Sequence, residues 1–254
     1  MPDEYSKTDK FRGARFTGLD FRDVTFRDCD MSNLKIAASD LVEVNISGWV
    51  RNSFVVNDVD VVEYVEAELN RRYPVRAQVE ATKSADDYRA TWGAIEDVWS
   101  QAVTRARRLP ESALQERVDE EWSLVETLRH LIFATDAWAG SAVLELAQPY
   151  HRLGLTHTDY SVAHAAAIGI DLNAKPTFDE VLVVRTERLA MVRGFVDELT
   201  AEELERSCMR PPAPGYPEQP RTVRQCIRVV MNEECEHYRY AMRDLAVLEQ
   251  RLET

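Results

Sequence analysis

The chain has no CxxC pair. Its four cysteines, Cys29, Cys208, Cys226 and Cys235, are scattered, so it carries neither a paired-cysteine zinc knuckle nor a dithiol redox motif. At 254 residues it is too large to need disulfide staples, and reduced thiols are expected. Long apolar runs are missing too: every such stretch is short and broken by charges, too short for a membrane span. The opening Met1-Pro2-Asp3-Glu4-Tyr5 is acidic and polar. It lacks the basic start and apolar core of a signal peptide, and a cytoplasmic protein is expected. Basic charge is in short supply, with 31 Lys and Arg against 44 Asp and Glu, a net of −13. A phosphate backbone calls for a basic surface, so nucleic-acid binding is not expected. The acid excess reads as solvated surface charge.

What is present begins with a period of five. From Phe11, steps of five give Phe16, Phe21, Phe26, Met31, Ile36, Leu41 and Ile46, all large and apolar. A second phase runs Ala14, Leu19, Val24, Cys29, Leu34, Ser39, Val44 and Trp49. Five matches neither a helix nor a flat strand. A short fixed period points instead to stacked coils that complete one another's buried faces. Residues 11 to 50 resemble the pentapeptide-repeat family, with a weaker echo at Phe54/Val56 and Val59/Val61. That resemblance implies a short right-handed quadrilateral β-helix, although Leu19, Leu34 and Trp49 are bulkier than the family favours. DNA mimicry, known in some such proteins, needs a strongly acidic rod. Residues 11 to 60 hold six basic and eight acidic side chains, too nearly balanced for such a field. A structural module, or a face that docks a protein partner or a second copy, is expected instead.

Beyond this the periodicity turns helical. A connecting helix is read over 58 to 72, stopping at Tyr73-Pro74 because proline and the residue before it are poor helix interior. Longer amphipathic helices follow over about 85–108, 123–146, 177–206 and 220–251, with a short one over 159–169. Ser123 with Glu126, and Thr177 with Glu180, have the spacing of capping boxes. The expected organisation is α+β: a β-helix over 1–57, a connecting helix and linker over 58–84, and a four-helix bundle over 85–254.

The chemistry concentrates in Glu233-Glu234-Cys235-Glu236-His237. Residues four apart share a helix face, so Glu233 and His237 can grip one divalent ion. They continue the apolar stripe of Val223, Cys226, Val230, Ala241 and Leu245, which puts them on the buried side. A buried carboxylate needs a cation. That cation is either a metal or one of Arg129, Arg239 and Arg243. His130, on the second bundle helix, supplies a third donor if the two helices are neighbours. Three donors leave a coordination position open, as catalytic sites do. Cys226 is expected in the core, and Cys235 points away. His151, in the 149–154 loop, is a candidate acid/base group over the site. Arg239, Arg243, Trp138 and Tyr240 are candidate substrate contacts. His157 and His164 have no partner at useful spacing.

Residues 122–130 and 233–245 resemble the DinB superfamily, in particular its actinobacterial branch, and the likeness extends over about 85–254. The resemblance implies a four-helix bundle with a metal held by one residue of helix two and a pair four apart on the last helix. Most members use three histidines. The mycothiol-dependent maleylpyruvate isomerases use His, Glu and His on zinc, matched here by His130, Glu233 and His237. The implied activity is that of a thiol S-transferase or thiol-assisted isomerase acting on a small electrophile, with mycothiol as an expected cosubstrate. Ni2+ and Fe2+ also suit this donor set. Metal-assisted hydrolysis, and a non-enzymatic protein docking a partner through the repeat segment, are the open alternatives.

Overall fold

The computed structural model describes residues 3–48 and 50–253, and the chain divides into two compact units, Met1–Trp49 and Val50–Thr254.

In the first unit the five-residue period shows as turns. Backbone φ is positive at Gly13, Gly18, Asp23, Asp28, Asn33, Ala38 and Glu43. Glycine, Asp and Asn dominate that set, the residues that adopt the left-handed region most readily. Local bonds close several of the turns, such as Ala14 N to Phe11 O at 2.9 Å and Leu34 N to Met31 O at 3.0 Å. The expected β-helix is not shown. Among the described residues of this unit there is no strand and no backbone hydrogen bond from one coil to the next. A solenoid is held together by that coil-to-coil ladder. Without it the large apolar row stays open to solvent, from 38% exposure at Met31 to 64% at Phe26.

The second unit starts with a hairpin, β1 (Val55–Val56) and β2 (Val59–Asp60), antiparallel with Val56 opposite Val59. Its two turn residues, Asn57 and Asp58, both have positive φ, which suits the right-handed twist of paired strands. The weak echo of the repeat at 54–61 is therefore a hairpin. The connecting helix starts after it, as α1 (Val62–Arg72). Proline ends α1 and begins another helix, α2 (Pro74–Ala81), where a missing N–H costs nothing at the first helical position.

Four long helices make the bundle. α3 (Ala85–Ala106) starts at a capping box formed by Ser84 and Asp87. After a short α4 (Glu111–Leu114), α5 (Leu124–Thr135) starts at the Ser123/Glu126 box. α5 was expected to run on to 146 as one α-helix. It widens instead into a π-helix over Asp136–Val143. A short α6 (Val162–Ala167) precedes α7 (Phe178–Asp197), which starts at the Thr177/Glu180 box. The helix expected over 177–206 is broken in two: Thr200 caps a separate turn, α8 (Ala201–Glu205), accepting from the amide of Glu203. The last helix, α9 (Val223–Glu253), has 31 residues and is about 46 Å long.

α9 packs against α3, α5 and the π-helix, and α7 against α3 and α5. The core joins Trp92, Ile95 and Trp99 of α3 to Leu128 and Ile132 of α5, Val181 and Val192 of α7, and Ile227 and Met231 of α9. Between α8 and α9 two short strands pair, β3 (Ser207–Cys208) and β4 (Arg221–Thr222), with Cys208 opposite Arg221. They close residues 209–220 into a strap. No helix among the described residues is long and apolar enough to cross a membrane.

Candidate metal centre

His130 lies seven residues into α5, and Glu233 and His237 lie one turn apart midway along α9. Because α5 and α9 are packed neighbours, the three side chains meet. One ligand atom from each falls within 4.8 Å of the others. Glu233 Oε2 is 3.4 Å from His130 Nε2 and 3.3 Å from His237 Nε2. Two donors bound at the usual zinc distances of about 2.0–2.1 Å, at a tetrahedral angle, are separated by roughly 3.3–3.4 Å.

The protonation pattern fits a cation as well. His130 Nδ1 is 3.0 Å from the carbonyl oxygen of Leu155. That carbonyl can only accept, so Nδ1 carries the proton and donates it. Nε2 then faces the Glu233 carboxylate, and either a metal ion between them or a second ring proton donated to Oε2 satisfies both groups. Leu155 is itself tied to α5 through its amide, which donates to Arg129 O at 3.0 Å. Such an outer bond fixes both tautomer and ring orientation of a metal-binding histidine. Burial pushes the Glu233 carboxyl up, but the hydrogen bonds to His130 and His237 outweigh this and hold it well below the ordinary carboxylate range. His237 is lowered, first by burial, with Glu233 opposing.

None of the three arginines that could have neutralised Glu233 does so. Arg129 donates to the carbonyls of Leu153, Asp171 and Ala174 and so holds the loop that carries Leu155. Arg239 pairs with Glu236 at 3.0 Å, and Arg243 with Asp244 at 2.7 Å.

The remaining candidates are spread around the cluster. Tyr240 has its ring 6.1 Å from that of His237, and the guanidinium carbons of Arg239 and Arg243 sit 4.2 and 5.3 Å from the Tyr240 centroid. Trp138, on the π-helix, meets Tyr216 edge-on at 5.7 Å. His151 accepts from the amide of Leu153 at its Nδ1, 3.1 Å away, and its own amide donates to Asp136. Its field comes from Arg188, Arg152 and Glu187, not from the three donors.

Several neighbours of the site carry no signal in the sequence. Trp122 lies 4.7 Å from the His130 ring and stacks on His237 at 6.0 Å. His157 and Tyr216 come from separate loops, so only the fold brings them near. Behind α9, Glu234 is 1% exposed and bonds Arg185 of α7, itself 2% exposed, at 2.8 Å. Asp136, the first π-helical residue, is buried against Arg188 and the His151 amide. Cys208, Cys226 and Cys235 are buried free thiols, and Cys29 is exposed.

A helical bundle with one His from an inner helix and a Glu/His pair on the last defines a metal-binding class of fold. The chain belongs to the DinB superfamily: that family's profile matches residues 94–241, and members typically bind a divalent metal. It is similar to a crystal structure of a Streptococcus pneumoniae protein, with 17% identity and a TM-score of 0.44, over 64% of this chain and 90% of that one. A Clostridium difficile protein of uncharacterized function gives the same identity and TM-score, over 64% of this chain and 95% of the other. No curated protein matches the chain.

Proposed function

We propose that the protein is a metal-dependent thiol S-transferase or thiol-assisted isomerase, with Zn2+ preferred over Ni2+ or Fe2+, acting on a small electrophile. The observation that carries this is the His130, Glu233, His237 set, with ligand atoms within 4.8 Å of one another and with Arg129, Arg239 and Arg243 each engaged elsewhere. Two neutral imidazoles and one carboxylate suit a borderline divalent cation and leave a position that the protein does not fill. A divalent ion there would supply positive charge that lowers the pKa of a thiol or water in that position. The chain's own part is to orient His130 through Leu155 and to wall the cluster with Trp122 and Tyr240. The family's thiol-dependent members favour a low-molecular-weight thiol as cosubstrate, mycothiol in an actinobacterial cell. The candidate substrate contacts Arg239 and Arg243 stand beside Tyr240, where they suit an anionic group on thiol or electrophile.

The test is turnover of a panel of small electrophiles by the zinc-loaded protein, with and without mycothiol, glutathione and cysteine. Thiol-dependent turnover that is lost in His237→Ala is expected. Equal metal content and equal activity in that variant would end this reading, and turnover independent of any thiol would make the protein a hydrolase.

The repeat segment supports a second role. Its apolar row, Phe11 to Ile46, is exposed along its length, and a stack of two coils has too few neighbours to bury it. A pentapeptide β-helix completed by a second copy, or by a protein partner, would cover that row. Light scattering on the full chain tests this: a dimer reduced to a monomer by joint Phe16→Asp and Phe21→Asp is expected, and a monomeric parent protein would rule out the self-paired form.

A further inference from the structure

The two histidines of the donor set are held unequally. His130 has its ring fixed by the Leu155 carbonyl, 3.0 Å from Nδ1. Among the described residues the His237 ring makes no hydrogen bond except to Glu233, its neighbour in the set. A metal-binding histidine normally has an outer partner that fixes its ring. Around His237 the candidates for that task are aromatic. The Trp122 ring lies nearly parallel to the His237 ring, at 6.0 Å and 20°. It also lies 4.7 Å from the His130 ring, and the two imidazoles are 4.8 Å apart. Phe133 meets the first imidazole at 6.2 Å, and Tyr240 meets the second edge-on at 6.1 Å. Trp122 meets both.

The chain holds Trp122 from both sides. After it, Ser123 caps α5 and donates its amide to Glu126 at 2.9 Å. Arg117 grips the same carboxylate at 2.6 and 2.8 Å. Before it, Glu121 donates its amide to the carbonyl of Val118, a residue 2% exposed. The turn between them runs through Asp119 and Glu120, both at positive φ. That conformation is costly for residues other than glycine, so the bonds on either side have to impose it. The result is a half-buried indole fixed against two donor rings. An imidazole that shares its lone pair with a cation becomes electron-poor, and the indole face attracts positive charge best among the aromatic side chains. The stack is therefore stronger with an ion held than without one.

We propose that Trp122 is the positioning residue of His237: its ring face does by stacking what the Leu155 carbonyl does for His130 by a hydrogen bond. This deepens the metal reading of the same site and rests on it. The helix fixes where the His237 side chain starts, one turn from Glu233, but leaves its ring free to rotate. The indole face removes that freedom, with Tyr240 against the same ring. Stacking needs a flat ring, so an apolar side chain without one cannot replace it. No bond forms or breaks at Trp122. Its effect lies in how tightly, and in what geometry, an ion is held.

The experiment titrates the full chain with cobalt and reads both the dissociation constant and the visible d–d bands, whose intensity falls when a four-coordinate ion gains ligands. Trp122→Leu keeps apolar bulk and removes the ring, while Trp122→Phe keeps a smaller ring. Trp122→Leu should bind cobalt about tenfold more weakly, in the range usual for loss of an outer partner. Its bands should weaken as well, and Trp122→Phe should fall between it and the parent in both readouts. A role in folding alone would lower the melting point of Trp122→Leu without moving either one. A parent and a Trp122→Leu chain with the same constant and bands, or a Trp122→Phe chain as weak as Trp122→Leu, would overturn the role of Trp122 and leave the donor set standing. A folded parent that takes up no cobalt would overturn the metal reading, and the role of Trp122 with it.

Discussion

The ion pair behind α9 offers a direct test of how the donor helix is held. Glu234 and Arg185 are both almost fully buried, share one bond of 2.8 Å, and leave Glu234 Oε1 and Arg185 Nη1 without partners. Burial pushes the Glu234 carboxyl up against the pull of Arg185, and Glu233 next to it adds to the rise. The pair is thus a desolvated one with incomplete satisfaction, the kind whose rupture costs more than its presence contributes. Glu234→Gln keeps the shape but strands a buried guanidinium, which also lies over the Trp99 ring at 5.9 Å. The expected loss is about 3–5 kcal/mol. For a unit of this size it corresponds to a melting point lower by roughly 6–20 °C. The assay is thermal and urea unfolding in chelator, so that metal binding does not mask the effect. Replacing both residues together, Glu234→Met with Arg185→Met, should cost less than either single change, because no charge is left behind. A Glu234→Gln protein within about 1 kcal/mol of the parent would refute the reasoning, as would a double variant as unstable as the sum of the singles.

Other outcomes follow from the same packing. Asp136 has its carboxyl raised from 3.8 to about 6, chiefly by burial and against the pull of Arg188. A raised folded value means that stability is fully present below about pH 4 and is lost as pH rises through about 6, roughly two pH units at about 1.4 kcal/mol each. Against Asp136→Asn, whose side chain does not titrate, the parent should therefore lose about 3 kcal/mol across that window, and parallel pH profiles would contradict it. Ser123→Ala removes the N-cap of α5, whose hydroxyl accepts from the amide of Glu126 at 3.2 Å. It should cost about 1 kcal/mol in urea unfolding without changing the donor set.

Much of the bundle is legible in the sequence because helix starts are local chemistry. Ser123 with Glu126 and Thr177 with Glu180 close their boxes within four residues. The donor pair is legible for the same reason: Glu233 and His237 need only one turn of helix. What lies beyond is set by tertiary packing. The apolar stripe puts Glu233 on the buried side, yet Glu234 is the more deeply buried, because Arg185 of a third helix comes to meet it. Trp122 offers no spacing signal, since only the packing of α9 against α5 brings the His237 ring to it. The five-residue period fixes where the first unit turns, at Gly13, Gly18, Asp23 and onward. It does not fix the pairing between coils, which depends on backbone groups far apart in the chain. The π-helix at 136–143 has no local marker either. It starts at Asp136, whose carboxylate is bound from α7 by Arg188 and from the following loop by the His151 amide.

The measurement that bears most directly on the metal centre is metal content by elemental analysis, on the purified parent and on His130→Ala, Glu233→Gln and His237→Ala. One tightly held divalent ion per chain is predicted for the parent, with each substitution sharply reducing it while the helical circular dichroism is kept. A folded parent that takes up no divalent metal when offered, or variants that hold as much as the parent, would contradict it.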